Sequence, residues 1–134
     1  MTDTETLIRR YYAAFNADDV PGMLACLSDD VRHDVNQGAP RHGKQAFAAF
    51  CKHMDRCYVE RLTDITVMIE PTGTRAAAEF TVNGTYRATD EGLPEATGQT
   101  YTLPAGTFFA LSDRLITRVT TYYNLREWME QVTG

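Results

Sequence analysis

The dominant hydrophobic period of this chain changes near Tyr58, and that switch restricts what it can fold into. Before Tyr58, apolar residues recur at three- and four-residue spacings, the repeat of helices with one buried stripe. After it they alternate, the repeat of strands with one buried face. Helices first and a run of antiparallel strands afterwards make an α+β domain, with helices packed on one face of a sheet.

The first helix is expected over about residues 4–17, striped by Leu7, Ile8, Tyr11, Tyr12 and Phe15. Asp18-Asp19 ends it and offers an N-cap to a short second helix, where Pro21 is tolerated in the first turn. Val20, Met23, Leu24 and Leu27 carry the apolar stripe of that helix. Ser28-Asp29-Asp30 reads as a turn. Residues 31–36 alternate, with Val31, His33 and Val35 on one side and Arg32, Asp34 and Asn36 on the other. Residues 37–42 hold Gly38 and Pro40 and read as a loop. A third helix over 44–57 presents Phe47, Phe50, Cys51 and Met54 on one face. Strands follow at 62–70, 75–88, 100–111 and 115–123, broken by turns at 71–74 and 112–114 and a surface loop at 90–98. Leu125, Trp128, Met129 and Val132 mark a short C-terminal helix. Leu7, Tyr11, Phe15, Leu24, Phe47, Phe50, Phe80 and Val119 are expected to line one shared core or cavity wall. No repeat or linker interrupts the pattern, so residues 1–134 read as one domain.

Composition excludes several roles. Hydrophobic content of 43% and charged content of 23% belong to a soluble globular protein. No apolar run approaches the roughly 18 residues of a membrane span. The net charge of −5, with no basic stripe to offset it, argues against nucleic acid as a partner. The polar start of the chain is unlike a signal peptide, so a cytoplasmic location is expected. Cys26, Cys51 and Cys57 form no CxxC pair and read as reduced, packed thiols. No Ser-His-Asp order, P-loop or dinucleotide fingerprint is present, so no cofactor is expected. His33, His42 and His53 with Asp34 match no zinc spacing, so no metal is expected either.

A carboxylate such as Asp34, on a short strand between helical segments, is costly unless it is solvated, paired or used. With Tyr11 on the preceding helix it suggests a general base facing a hydrogen-bond donor. A plainer alternative pairs Asp34 with Arg32 or Arg41 and packs Tyr11 against Leu7 and Phe15. If Arg32, Asp34 and Asn36 face inward together, they could bind an anion or activate water. His33 shares its side with Val31 and Val35 and reads as a hydrogen-bonded core histidine. A curved sheet closed by helices leaves a cone, a natural small-molecule site. Phe50, Met54, Tyr86, Thr107, Phe109 and Tyr123 are further candidates for substrate contact. The last two strands carry apolar residues on both faces, so a homodimer through the exposed sheet face is expected.

Several strings resemble the ketosteroid-isomerase branch of the nuclear-transport-factor-2-like superfamily. They are Arg10-Tyr11-Tyr12, Ala17-Asp18-Asp19, Ser28-Asp29-Asp30, Arg41-His42-Gly43-Lys44-Gln45 and Ala48-Ala49-Phe50, with one residue deleted between Asp30 and Asp34. Asp34-Val35-Asn36-Gln37-Gly38, His53-Met54-Asp55-Arg56-Cys57-Tyr58, Leu103-Pro104-Ala105-Gly106 and Tyr122-Tyr123-Asn124-Leu125 look like the ketosteroid-isomerase-related proteins. The superfamily also holds polyketide cyclases of the SnoaL type. The resemblance implies a cone of three N-terminal helices on a curved, mainly antiparallel sheet, with a short C-terminal helix. It places the isomerase base on Asp34 and the oxyanion-hole tyrosine on Tyr11. It implies cofactor-free proton transfer, isomerase- or cyclase-like, on a small hydrophobic carbonyl compound. A binding module for a small apolar ligand, and a hydrolase or dehydratase activating water, remain alternatives. One departure stands out: the isomerases carry a second, protonated aspartate, and here Pro104-Ala105-Gly106-Thr107-Phe108-Phe109-Ala110 has Thr107 near its place. That implies poor isomerisation of β,γ-unsaturated ketosteroids and a better stabilised enolate, such as that of a 1,3-dicarbonyl or polyketide-like compound.

Overall fold

The computed structural model describes residues 2–134. Helices α1 (Asp3–Asn16) and α2 (Val20–Leu24) lead into strands β1 (Leu27–Asp34) and β2 (Arg41–His42), then α3 (Lys44–Cys57). Four long strands follow, β3 (Tyr58–Ile69), β4 (Arg75–Tyr86), β5 (Thr100–Ser112) and β6 (Leu115–Tyr123), before α4 (Leu125–Thr133). The strands form one sheet in the order β2-β1-β6-β5-β4-β3. All neighbours are antiparallel except β1 and β6, which run parallel. This is the expected α+β arrangement.

Local chemistry fixes the helix ends. The Thr2 hydroxyl caps α1 by accepting from the Glu5 amide, and Asp19 and Asn124 cap α2 and α4 in the same way. Asn16, at the end of α1, both donates to the Leu62 carbonyl and accepts from the Leu62 amide, each at 2.9 Å, which pins α1 across β3. Three irregularities interrupt the ladders. One lies in β1 between Leu27 and Arg32, one in β3 between Thr63 and Thr66, where Asp64 has φ +55, and one between β5 and β6 at Ala110 and Leu111. Asp113 and Arg114, both with positive φ, make the two-residue turn that joins β5 to β6.

Several boundaries differ from expectation. Ser28-Asp29-Asp30, expected as a turn, lies inside β1, which ends at Asp34 and not at Asn36. Leu27 leaves the second helix and opens β1, because its backbone finds a partner opposite Ile116 of β6 and its side chain becomes fully buried there. Arg41 and His42, expected in a loop, pair with His33 and Arg32 as β2. Strand β3 starts at Tyr58, directly after α3, not at Leu62. The core joins Leu7, Tyr11, Phe47, Phe80 and Val119 as expected, with Phe15 and Leu24 packed against it half-buried; Phe50, also expected there, is half-buried against His33 outside that cluster. Cys26 and Cys57 are buried free thiols and Cys51 is a half-buried one.

Candidate functional site

Residues paired across neighbouring strands point to the same side of a sheet. One row runs His33, Val119, Phe109, Ala76 and Ile69. It lies under the helices, with its first four members buried. The adjacent row runs Asp34, Thr120, Phe108, Ala77 and Met68 and leaves the sheet on the other side. There Phe108 and Met68 are about half exposed, at 48% and 50%. Tyr11 lies on the helix side, its ring centroid 5.9 Å from that of Phe109 and 6.4 Å from that of Phe47. Asp34 and Tyr11 therefore occupy opposite faces of the sheet, and the expected base-and-donor pair is not brought together.

Asp34 instead belongs to a polar network on the other side of the sheet, where it and Thr120 are buried. Arg32 Nε donates to its Oδ2 at 3.0 Å, and the Thr120 hydroxyl donates to the same oxygen at 3.1 Å. Arg118 Nε in turn donates to Thr120 Oγ1 at 2.8 Å. The pairing with Arg32 is the plainer alternative raised by the sequence. Asn36 lies past the strand end with φ +58, exposed, and donates to the Thr121 carbonyl at 3.0 Å. Arg32, Asp34 and Asn36 thus do not line the interior together.

The interior is occupied by the side of β1 that carries His33. Its ring is 4% exposed and sits 4.7 Å from Phe47 and 4.6 Å from Phe50, centroid to centroid. Arg41 covers the Phe50 ring at 4.9 Å. The histidine is not hydrogen-bonded as expected: Nδ1 is buried without a partner. Burial first, and then the Arg41 charge, lower its pKa to about 4, with Asp34 acting the other way. The imidazole is therefore neutral at ordinary pH. Tyr11 shares Phe47 with it, and burial followed by the neighbouring Tyr12, Cys51 and Cys26 hold its phenol well above the usual value. The Tyr12 hydroxyl is also buried without a partner. Burial raises it, and the Thr107 side chain eases the shift. Thr107 exchanges a hydrogen bond with Thr121 at 3.1 Å. Unpaired buried polar atoms cost roughly 1–3 kcal/mol each, so the polar groups of a ligand would be welcome here.

Phe50, Met54, Thr121 and Tyr123 are only half-buried although they lie on the helix-covered side, which marks an opening between α3 and α4. Phe109 is a fully buried wall residue against Tyr11 and Tyr12. Tyr86 is structural. It is fully buried, stacks on Tyr58 and donates to the Pro94 carbonyl at 2.6 Å.

Sequence reasoning missed a second polar group at the α4 end. There Tyr101 donates to Glu60, and Tyr58 donates to Asp90 at 2.8 Å. The signal was available: Tyr58, Glu60 and Leu62 alternate onto one side, so Glu60 sits among apolar neighbours. Metal-type donors come together here too, with ligand atoms of His53, Cys57 and Asp90 within 4.8 Å of one another. The hydrogen bonding disfavours an ion. His53 Nδ1 faces the Arg56 guanidinium at 3.1 Å and so accepts, which leaves Nε2 as an N–H donor to Asp90 Oδ1 at 2.9 Å. This group braces the end of α3 against the loop after β4.

A SnoaL-like domain model matches residues 8–119, most of the described chain. The chain belongs to the SnoaL-like family. This SnoaL-like protein has the nuclear-transport-factor-2-like fold, shared also with a Burkholderia pseudomallei protein at 23% identity, full coverage of both chains and TM-score 0.83. Two nearer solved structures are each called a candidate polyketide cyclase. One, from Pseudomonas putida, is 62% identical over 98% of both chains, with TM-score 0.94. The other, from a Silicibacter species, is 63% identical over 98% of this chain and 96% of its own, with TM-score 0.96. No curated protein matches the chain. Among the described residues, no helix is long and apolar enough to cross a membrane.

Proposed function

We propose that this SnoaL-like protein is a cofactor-free proton-transfer enzyme, isomerase- or cyclase-like, acting on a small hydrophobic carbonyl compound held inside the cone. His33, rather than Asp34, is the base, and Tyr11 is the oxyanion donor. One observation carries the reading: a buried neutral imidazole with an unpartnered Nδ1 shares the Phe47 ring with a buried phenol. Nδ1 would take a proton from the carbon next to the carbonyl. The carbonyl oxygen then gains the negative charge, and the Tyr11 hydroxyl stabilises it. The imidazolium returns the proton to carbon, so nothing is consumed.

The environment that keeps His33 neutral also makes it a weak base. The substrate must therefore have an acidic C–H, as a 1,3-dicarbonyl or polyketide-like compound does. Likeness to the candidate polyketide cyclases supports that class. The same weak basicity favours a second reading, a binding module in which His33 and Tyr11 only orient an apolar ligand.

The test is enolisation of 1-phenyl-1,3-butanedione, followed by the absorbance of the enol. Wild-type protein should accelerate it, and His33→Gln should lose most of the roughly 10²–10⁴-fold that a general base supplies. Asp34→Asn should keep it. Loss on Asp34→Asn with His33→Gln unaffected would return the base to Asp34, and no acceleration by the wild type would leave the binding module.

A second copy of the chain is the proposed partner of the uncovered sheet face. Met68, Phe108 and Tyr122 are about half exposed on it, and two open hollows of about 310 and 410 Å³ share Met68, Ala77 and Phe108. A two-fold dimer is the simplest closed way to cover such a patch.

A further inference from the structure

Glu60 is built into the helix-covered side with more care than a surface glutamate needs. It lies in the row Glu60, Gly84 and Tyr101 across β3, β4 and β5. The Tyr101 ring lies over Gly84, where an added Cβ would come within 2.3 Å of it. Glycine at this position lets the phenol cross the middle strand and donate to Glu60 Oε2 at 2.5 Å. Tyr101 is itself 3% exposed and packed 5.9 Å from Trp128, so the donor is held in place. Among the described residues, no donor meets Oε1.

A carboxyl in such surroundings is costly. Burial raises the Glu60 pKa, with the Tyr101 hydroxyl opposing. Burial raises the Tyr123 phenol as well, and the Glu60 and Asp90 charges add to it. Tyr123 is also one of the half-buried residues at the opening between α3 and α4. An apolar residue would satisfy packing alone and would not require a tyrosine threaded over a glycine.

We propose that Glu60 is a specificity-determining residue at the far end of the interior site, where its Oε1 accepts a hydrogen bond from a hydroxyl group of the ligand. The inference rests on the proton-transfer reading above, which puts the ligand's carbonyl at His33 and Tyr11. Phe50, which packs on His33, lies in the middle of α3, and Glu60 follows the end of that helix through Cys57 and Tyr58. The ligand class is a mainly apolar diketone with a hydroxyl on the end opposite the dicarbonyl.

The probes are 1-(biphenyl-4-yl)butane-1,3-dione and its 4′-hydroxy derivative, with Kd from calorimetry and enolisation from absorbance. Wild-type protein should bind the hydroxylated probe about tenfold or more tightly, the range of a hydrogen bond to a charged group. The preference should appear in Kd and KM, with kcat alike for both probes, because the hydroxyl is remote from the reacting carbon. Glu60→Gln should reduce the preference to a few-fold with kcat kept, and Tyr101→Phe, which frees the carboxyl from its presenter, should reduce it in part. If both probes are bound and enolised equally well by the wild type, or if Glu60→Gln keeps the full preference, the role of Glu60 is overturned while the proton-transfer reading survives. If the wild type neither binds nor enolises either probe, the interior-site reading fails and this inference falls with it.

Discussion

His33 should make this protein lose stability in acid to a degree that one substitution can isolate. Its folded pKa of about 4 lies below the ordinary 6.5, because burial and Arg41 disfavour the imidazolium. The unfolded chain then binds a proton that the folded chain refuses throughout that interval. Stability is complete above the unfolded value and falls as pH drops from about 6.5 towards 4. At about 1.4 kcal/mol per pH unit, the loss amounts to roughly 3 kcal/mol. His33 is 4% exposed, so solvent screening takes little from this figure. Other groups titrate in acid too, so the measurement is a difference. Urea-unfolding free energies of the wild type and of His33→Gln should be compared between pH 7.5 and pH 4. Glutamine cannot take the proton, so the wild-type curve should drop roughly 3 kcal/mol further than the variant's, whatever the variant's starting stability. Parallel curves would refute the reasoning, because they would mean that the imidazole titrates alike in the folded and unfolded chains.

Gly84→Ala should cost about 1–3 kcal/mol in urea unfolding, since the new methyl would collide with the Tyr101 ring, and Tyr101→Leu in the same background should recover part of it. Asp34→Ala should cost about 1–3 kcal/mol, chiefly by leaving the buried Thr120 hydroxyl without its acceptor, while enolisation is spared. Phe108→Asp should convert a dimer into a monomer in sedimentation with little change in thermal stability; a wild type that is already monomeric would count against the proposed dimer.

Most of the architecture was legible because long apolar stripes and alternations repeat over many residues. The stripe of α1 and the alternation of β4 survive a local exception without changing type. Short elements were less legible. Leu27 fits the stripe of α2, yet its partner Ile116 lies far along the chain and pulls it into β1. The two residues of β2 have no pattern of their own and exist only because β1 lies beside them. Tyr101 and Glu60 meet across an intervening strand, over a glycine, so nothing in either local sequence announces the other.

Asp34 and Tyr11 lie apart for a different reason, in which two sequence arguments disagreed. Resemblance to the isomerases put the interior group at Asp34, across a deletion of one residue. Alternation put Val31, His33 and Val35 on the apolar side; the burial of Val31 and His33 beside exposed Arg32 follows it, and Asp34 is buried as well, on the other side of the sheet. In a helix, a deletion of one residue rotates a side chain by about 100° and can leave it near the same neighbours. In a strand it exchanges the two faces completely, because successive side chains point in opposite directions. An aspartate aligned to within one residue of a base is therefore no nearer to being that base than any residue on the wrong side of the sheet. Here the exchange brings a histidine under Phe47 and Phe50 and sends the aspartate to Thr120 and Arg32. A short strand inherits its chemistry from the burial pattern around it before it inherits any from the family register.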